Sequence, residues 1–393
     1  MAADDGTGTW PASLGTVLRE WGRIGITGFG GPPAHIALLR RLCVDTRGWL
    51  DAAEFEDAIA ACNLLPGPAS TELAIFCAWR VRGRLGAVVG GLAFIVPGLI
   101  IILVLSALFL AGVPPLWVRG AGAGAGAAVA AVAVQAGWSL LGPSWKRASA
   151  REPVRVSRLR WALYFLAGGA ASATIGPWLV LVLLGCGVLE VALRRVSWRP
   201  SAVPGVAPLF PAALSGGILA SVAWVAFKVG ALSFGGGFVI IPLMRGDAVG
   251  RGWMTNGQFL NAVALGQITP GPIVQTVAAV GYAAAGLPGG LLAAAVAFSP
   301  SFAFVLGGGR HFSALRENRV AQAFLDGAGP AAIGAIFGAA ILLARALSVD
   351  WQYAVLAGAA ALLLLARRAV VLTLLSAAAV GLVIAFAGGP LPP

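Results

Sequence analysis

The sequence is poor in charged residues. Only 11% of its 393 residues are charged and 59% are hydrophobic, whereas a soluble domain carries about 25% charged residues. So few charges cannot cover a water-exposed surface, and lipid must therefore solvate most of the chain. Runs that are almost free of charge, such as 85–113, 159–193 and 355–387, support this conclusion, because about 20 apolar residues cross a bilayer as a helix.

Residues that bind metals or form disulfides are also scarce. The chain has four cysteines and two histidines: Cys43, Cys62, Cys77, Cys186, His35 and His311. No CxxC pair occurs, and the histidines are too few and too far apart for a zinc or haem site. We therefore predict no metal, no cofactor and no enzymatic activity, because a membrane-embedded reductase or transferase would need such ligands or an acid–base set.

Acidic residues are outnumbered, which gives a net charge of +12. In a soluble protein this excess would suggest nucleic acid as a partner. Here the basic residues cluster in short loops between apolar runs, as in the cytoplasmic loops of membrane proteins, and we predict no nucleic-acid binding. Residues 1–13 lack the basic and apolar regions of a signal peptide, so we expect the first apolar segment to be retained.

Two short motifs occur twice in the same order. The Phe-Gly-Gly sequence at 29–31 recurs at 234–236, and the Pro-Gly-Pro sequence at 66–68 recurs at 270–272. The offsets are 205 (234 − 29) and 204 (270 − 66) residues. Matches in one order at nearly one offset are typical of an internal duplication. We predict a first repeat over 1–198, a proline-rich linker over 199–211 and a second repeat over 212–393.

The basic loops alternate with opposite phase in the two repeats. In the first repeat, the loop at 80–84 carries three arginines and a loop at 143–160 is strongly basic, whereas their counterparts near 282–289 and 348–351 carry no lysine or arginine. Because lysine and arginine stay cytoplasmic, the repeats must be inverted relative to each other, as in many secondary transporters. Inversion requires an odd number of crossings in each repeat.

We predict an all-α polytopic helical bundle with five crossings in each repeat and both termini in the periplasm. The predicted crossings are 14–39, 85–112, 117–142, 161–176 and 178–194, then 211–241, 288–309, 320–346, 351–366 and 370–388. The segments on either side of each Pro-Gly-Pro are too short to cross fully, and we interpret each pair as a re-entrant hairpin. These segments are 54–65 with 68–79, and 256–269 with 272–284.

Each Pro-Gly-Pro interrupts a helix and starts another, because proline ends the preceding helix and suits the first turn of the next. The new helix begins with unpaired amides and the positive end of its dipole, which favour an anion. The predicted site residues are Gly67, Ala69, Ser70 and Thr71, with Gly271, Ile273, Gln275 and Thr276 in the second repeat. Asn63 and Gln267 flank the breaks as further donors. A kink that merely packs against its neighbours is the alternative.

The Phe-Gly-Gly motifs form a second candidate pair. Consecutive glycines permit a broken backbone and the close approach of a ligand. We include Gly30 and Gly31 of the first repeat, and Gly235 and Gly236 of the second, among the substrate-binding candidates. Close contact between helices is the alternative explanation.

Charged residues inside predicted spans are costly and are usually functional. Arg23 and Lys228 each precede a Phe-Gly-Gly motif by six residues, so two cations at equivalent depth would suit a dianion, with snorkelling to the headgroups as the alternative. Glu72 has no acidic counterpart in the second repeat and is a candidate proton carrier or a partner of Arg23. His35 is either a group that gains and loses a proton or a residue that only packs against its neighbours.

Together these motifs resemble those of the chromate ion transporter family, in its long two-domain form and over nearly the whole chain. The matching pieces are Phe29-Gly30-Gly31-Pro32 with Ala34-His35-Ile36, Leu65-Pro66-Gly67-Pro68, Ser233-Phe234-Gly235-Gly236-Gly237 and Thr269-Pro270-Gly271-Pro272. The resemblance implies chromate efflux across the bacterial inner membrane, powered by the proton motive force, and chromate resistance. It supplies no residue-level mechanism, so the site predictions rest on the helix-terminus and charge arguments.

We therefore expect a multi-pass protein of the bacterial inner membrane that works as a secondary transporter, with an oxyanion and membrane lipid as its partners. A transporter of sulfate or another small oxyanion is the main alternative, because chromate and sulfate are both tetrahedral dianions. The further alternatives are an anion channel and a membrane-embedded reductase. The sequence leaves the coupling ion and the oligomeric state open, a homodimer included.

Overall fold

The computed structural model describes residues 11–63, 67–110, 114–151, 153–174, 178–194, 217–233, 238–308, 318–367 and 369–392. All regular elements in these ranges are helical. Four of the helices are long and apolar enough to cross a membrane, which confirms the predicted all-α polytopic class. Pro66, Gly235, Gly236, His311 and the predicted linker at 199–211 lie outside the described residues.

The helices follow the two repeats closely. Those of the first repeat are α1 (Leu14–Thr27), α2 (Pro32–Arg40), α3 (Ala52–Cys62), α4 (Ala69–Phe109), α5 (Leu116–Ser149), α6 (Val154–Thr174) and α7 (Leu179–Leu193). Those of the second are α8 (Ile218–Ala231), α9 (Ile240–Gly250), α10 (Asn256–Ile268), α11 (Thr276–Gly308), α12 (Arg319–Arg345), α13 (Asp350–Ala360) and α14 (Val370–Phe386). Short π-helical segments, Arg41–Thr46 and Ala361–Leu365, extend α2 and α13.

Equivalent residues start equivalent helices. Asp51 caps α3 by accepting a hydrogen bond from the Glu54 amide at 2.7 Å, and Thr255 caps α10 by accepting from the Gln258 amide at 3.2 Å. A side-chain oxygen at this position satisfies an amide that the first helical turn leaves unpaired. The same local chemistry therefore sets the start of the short helix that precedes each Pro-Gly-Pro.

A sharp turn divides each of the helices α4 and α11 into two legs. In α4 the backbone leaves helical geometry at Arg82 and Gly83, where φ is −147° and 62°, and in α11 it does so at Ala285 and Gly286, where φ is −146° and 63°. The legs fold back on each other, because a Cβ on Gly86 would lie 2.4 Å from the Ala78 carbonyl oxygen. Leg 69–81 spans roughly 20 Å at 1.5 Å per residue, less than a bilayer core of about 30 Å. This length agrees with the re-entrant hairpin that the sequence predicts.

The second legs of α4 and α11 cross at the centre of the molecule and run antiparallel. Gly91 of α4 lies against the Phe302 ring of α11, and Gly290 of α11 lies against Leu103 of α4. The residue numbers in contact therefore rise along one helix as they fall along the other. Two inverted repeats would place these equivalent helices in opposite directions, as the structure does.

The C-terminal helices of each repeat pack on the other repeat. The α6 helix packs along α12, with a Cβ on Gly168 meeting the Ala331 carbonyl oxygen at 1.8 Å, and the α14 helix packs along α5, with a Cβ on Gly124 meeting the Ala377 carbonyl oxygen at 2.1 Å. Small residues allow helix backbones to approach this closely in lipid. The two repeats are therefore interleaved. The predicted boundaries at 198 and 212 separate the repeats along the sequence, but the repeats do not pack as two separate bundles.

Three segments differ from their predicted form, one of which is the predicted crossing 211–241, where α8 ends at Ala231 and α9 begins at Ile240. The first predicted crossing, 14–39, consists of α1 and α2 with a break at 28–31. The predicted loop at 143–160 is mostly helical, because α5 continues through Pro143 to Ser149 and α6 begins at Val154. The Trp161 indole nitrogen donates to the Ser144 hydroxyl at 2.9 Å, which ties the two helices together where the sequence indicated a loop.

The inversion predicts that equivalent positions beside the two sharp turns lie on opposite faces of the membrane. Arg84 and Leu287 are such a pair (287 − 84 = 203), and both are exposed. In a variant whose four buried cysteines are replaced by alanine, we expect R84C to react with a membrane-impermeant maleimide only after permeabilisation. We expect L287C to react in intact cells. Labelling of both from one side would contradict the inverted topology.

The interleaved packing predicts a specific sensitivity at Gly168. In G168L the new side chain must displace the α12 backbone, so we expect the variant to lose at least about 1–3 kcal/mol of stability. The measurement is the melting temperature of the detergent-solubilised protein. G185L is the matched control, because nothing lies within 4 Å of a Cβ at Gly185. Equal melting temperatures for the two variants would contradict the close α6–α12 contact.

Candidate functional site

Three hydrogen bonds connect the two Pro-Gly-Pro regions through the first Phe-Gly-Gly break. The Gly271 amide donates to the Gly28 carbonyl oxygen at 3.0 Å, and His35 Nε2 lies 2.9 Å from the same oxygen. His35 Nδ1 lies 3.3 Å from the Ser70 hydroxyl. Because a carbonyl only accepts, Nε2 carries the hydrogen and Nδ1 accepts from Ser70. The Gly28 carbonyl oxygen, which His35 and Gly271 share, therefore links the helix start at Ser70 to the turn of the second repeat.

The Glu72 carboxyl group lies directly against Gly67. A Cβ built on Gly67 would be 2.2 Å from Glu72 Oε1 and 3.5 Å from the Ser301 hydroxyl, so any larger residue would have to displace the Glu72 carboxyl group. Ser301 follows Pro300 in α11 and belongs to the second repeat. The first Pro-Gly-Pro turn therefore faces the second leg of the opposite long helix.

The second Pro-Gly-Pro turn makes the equivalent contact. A Cβ on Gly98 would lie 2.1 Å from the Pro270 carbonyl oxygen and 2.5 Å from Gln275 Oε1. The Gln275 amide nitrogen donates to the Ile95 carbonyl oxygen at 2.9 Å. Gly98 follows Pro97 as Ser301 follows Pro300, so the structure pairs each turn with the corresponding point of the opposite repeat.

The glycines of the first Phe-Gly-Gly break adopt conformations that other residues rarely reach. Gly30 and Gly31 have φ of 98° and 73°, in the region that favours glycine. A Cβ on Gly31 would lie 2.8 Å from the Ile273 side chain. The structure thus brings this break onto the helix start of the second repeat.

The amides at the two helix starts are only partly free. The Thr71 and Glu72 amides donate to the Pro68 carbonyl oxygen at 2.8 and 3.1 Å. The expectation of an unpaired Thr71 amide is therefore wrong, because the chain closes a tight turn onto Pro68. In the second repeat, the amides of Ile273 and Val274 donate to no acceptor among the described residues.

Several buried polar side chains around these turns lack a hydrogen-bond partner. Within the described part of the chain these atoms are both carboxyl oxygens of Glu72, the hydroxyls of Thr71 and Ser301, Gln275 Oε1 and Gln267 Nε2. Buried polar groups are normally paired, and an unpaired one costs about 1–3 kcal/mol. A concentration of such groups at two facing helix starts marks the place where a polar ligand would bind.

The two predicted cations have different surroundings. Arg23 is exposed on α1 and makes no ion pair with any described residue, so Glu72 is not its partner. Lys228 is buried and forms an ion pair with Asp247, which also accepts from Arg251 Nε at 3.0 Å. The sequence analysis missed Asp247. Its equivalent in the first repeat is Cys43 (247 − 204). An acidic residue that occurs in only one of the two repeats was the sequence signal that could have identified Asp247.

The remaining predicted site residues lie close to the same turns. Ala69 and Thr276 are buried at the two helix starts, and the Thr276 hydroxyl donates to the Ile273 carbonyl oxygen at 2.8 Å. Asn63 is exposed. In the ranges that the structure covers, no group of three histidine, cysteine or acidic residues could hold a metal ion.

Similar sequences are known over most of the chain. The profile of the family described as Chromate transporter matches residues 15–191 and 220–382. The "Chromate transport protein" of Pseudomonas aeruginosa is 32% identical over 352 residues, which cover 85% of this chain and 82% of that protein. The protein of the same description from Cupriavidus metallidurans is 32% identical over 345 residues, with 85% and 84% covered.

A cyanobacterial relative extends the comparison. The "Probable chromate transport protein" of Synechococcus elongatus is 31% identical over 348 residues, which cover 85% of each chain. No solved structure matches this chain. The family profile and these relatives span both repeats, including both Pro-Gly-Pro turns and the helices that face them. The chain therefore belongs to the chromate transporter family.

Proposed function

We propose that this protein is a secondary active transporter that exports chromate across the bacterial inner membrane and thereby confers chromate resistance. The observation that carries the proposal is the pairing of two inverted, broken helices at a buried cluster of unpaired polar groups. Family membership and the names of the relatives supply the substrate class.

The proposed substrate site lies between the two Pro-Gly-Pro turns. Hydroxyl and amide donors from both repeats, among them Thr71, Ser301 and Gln267, have unused hydrogen-bonding capacity there. The second helix start adds two free amides and the positive end of its dipole, both of which stabilise an anion. A tetrahedral dianion uses many donors at once. Sulfate has the same shape and charge, so it is the competing substrate that the transport assay must include.

Alternating access follows from the way the repeats meet. Each turn contacts the long helix of the opposite repeat, so rocking of one repeat against the other would open the site to one side at a time. The bridge from Ser70 through His35 and Gly28 to Gly271 crosses between the repeats. The bridge is short, and each of its links is a single hydrogen bond. It is therefore the contact that rocking of the repeats would break and form again.

The membrane potential, which is the electrical component of the proton motive force, would drive export, while a proton that leaves with the anion would move against the pH gradient. Export of a dianion from a negative-inside cell moves charge down the electrical gradient, which is worth about 2.3 kcal/mol per charge per 100 mV. An ionised Glu72 would repel an oxyanion beside it. A proton on Glu72 and the anion would therefore bind together, and one negative charge would still leave with each cycle. Glu72 is the proposed coupling group, with His35 as a structural bridge beside it.

The test of the function is anion uptake into inverted membrane vesicles. We expect wild-type vesicles to accumulate labelled chromate and R23A vesicles to show apparent affinity roughly 10–100-fold weaker, because an ionic hydrogen bond is worth about 1.5–3 kcal/mol. R19A is the matched control, since Arg19 is also exposed on α1 and lies one turn earlier.

The possible outcomes of this assay distinguish chromate from sulfate as the substrate and test whether Arg23 takes part in transport. Uptake of sulfate in preference to chromate would reassign the protein to sulfate transport. Equal uptake by R23A and wild type, with both proteins present in the membrane, would remove Arg23 from the substrate path. Uptake that follows the concentration gradient alone would indicate a channel.

Glu72 is tested by separating the two components of the proton motive force. In E72Q the titratable group is lost while the shape is kept. We expect E72Q vesicles to respond to an imposed membrane potential and to lose the response to an imposed pH gradient, whereas wild-type vesicles respond to both. E56Q is the control, because Glu56 is an exposed carboxylate paired with Arg40. A pH response that survives in E72Q would exclude Glu72 as the coupling group.

A further inference from the structure

A second polar cavity lies at one end of the bundle, away from the Pro-Gly-Pro turns. It is a small pocket that is bounded by the end of α5, the start of α6, the end of α7 and the first third of α12, and it opens to the surface. The charged residues that line it are Arg147, Arg151, Arg160, Arg194, Glu190 and Asp326. Four guanidinium groups against two carboxylates leave an excess of two positive charges (4 − 2).

The two carboxylates hold three of the arginines in place. Asp326 pairs with Arg151 at 2.7 Å and with Arg194 at 2.9 Å. Glu190 pairs with Arg160 at 3.5 Å and accepts a hydrogen bond from Arg194 at 2.6 Å. The Tyr164 hydroxyl also donates to Glu190, at 2.9 Å. This network fixes the guanidinium groups around the cavity before any ligand binds.

Hydrogen-bonding capacity remains after these pairs are made. The Arg160 Nε atom is buried and has no partner within the described residues. Arg147 is exposed and forms no ion pair within them. A buried guanidinium donor without an acceptor is unfavourable, and guanidinium groups match the oxygens of phosphate in geometry and charge. The cavity is therefore built for an anionic phosphate group.

The surroundings of the cavity distinguish a lipid phosphate from a free one. Leu159, Leu163 and Leu166 are exposed and share one face of α6, which leads away from the cavity. Trp145 is exposed beside the cavity, and the Arg158 guanidinium lies 5.5 Å from its ring centroid. Tryptophan is typical of the level of lipid headgroups. An acyl chain can thus follow the leucines while its headgroup reaches the arginines.

We propose that this arginine cavity binds the phosphate headgroup of an anionic phospholipid. The helix ends that form it belong to loops predicted to be cytoplasmic, where anionic lipids are concentrated and basic cavities between helices hold their headgroups. The cavity joins α6 and α7 of the first repeat to α12 of the second. A bound lipid would therefore stabilise the contact between interleaved repeats.

Native mass spectrometry of the full-length protein in detergent tests the proposal, with phosphatidylglycerol, phosphatidylcholine and inorganic phosphate as the three probes. We expect wild type to retain phosphatidylglycerol in preference to phosphatidylcholine. We expect R147A to bind phosphatidylglycerol about fivefold more weakly, since each basic residue near a lipid surface contributes about 1 kcal/mol. Arg147 is exposed, so the substitution leaves the ion-pair network intact.

K146A is the matched control, because Lys146 is the exposed neighbour of Arg147 and does not line the cavity. We expect it to bind phosphatidylglycerol like wild type. Equal weakening in K146A and R147A would mean diffuse attraction to a basic surface and would overturn the site. Equal retention of both lipids would overturn it as well. Binding of inorganic phosphate with the same dependence on Arg147 would replace the lipid with a free anion.

Discussion

The structure depends on a constraint that the membrane imposes on broken helices. A backbone that leaves helical geometry inside a bilayer must find its hydrogen-bond partners within the protein. Here each repeat supplies partners for the breaks of the other. The Gly28 carbonyl oxygen accepts from the Gly271 amide, and the Ile95 carbonyl oxygen accepts from Gln275. Glycine at 67 and 98 allows the chains to come close enough. The same contacts that satisfy the backbone therefore create the candidate site.

The two repeats are alike in backbone and different in chemistry. The sharp turns at Gly83 and Gly286 have nearly the same dihedral angles, yet Glu72 corresponds to Thr276 and Ser301 corresponds to Gly98. The first repeat thus brings the carboxyl group and the second brings the hydroxyl that faces it. A duplicated scaffold supplies two equivalent positions, and divergence at those positions makes the candidate site asymmetric.

Sequence analysis predicted the elements well and their contacts poorly. The duplication, the inversion and the breaks at Pro-Gly-Pro were predicted because proline, glycine and loop charge act locally. The environments of Arg23 and Lys228 could not be predicted from their equal depth in the two repeats, since one is exposed and the other pairs with Asp247. That pairing joins α8 to α9, and no short-range pattern encodes it. Continuation of α5 through Pro143 likewise depends on its contact with α6.

The sequence by itself determined that the chain lies in lipid, that it is duplicated and where its helices break. These properties follow from hydropathy, from the conformational limits of proline and glycine and from the positions of basic loops. Only the tertiary structure decided that Ser301 faces Gly67, that the Gly271 amide bonds to Gly28 across the repeats and that α6 packs on α12. Such contacts join segments far apart in the chain, and they depend on how closely whole helices approach, which the surface of each helix alone does not specify.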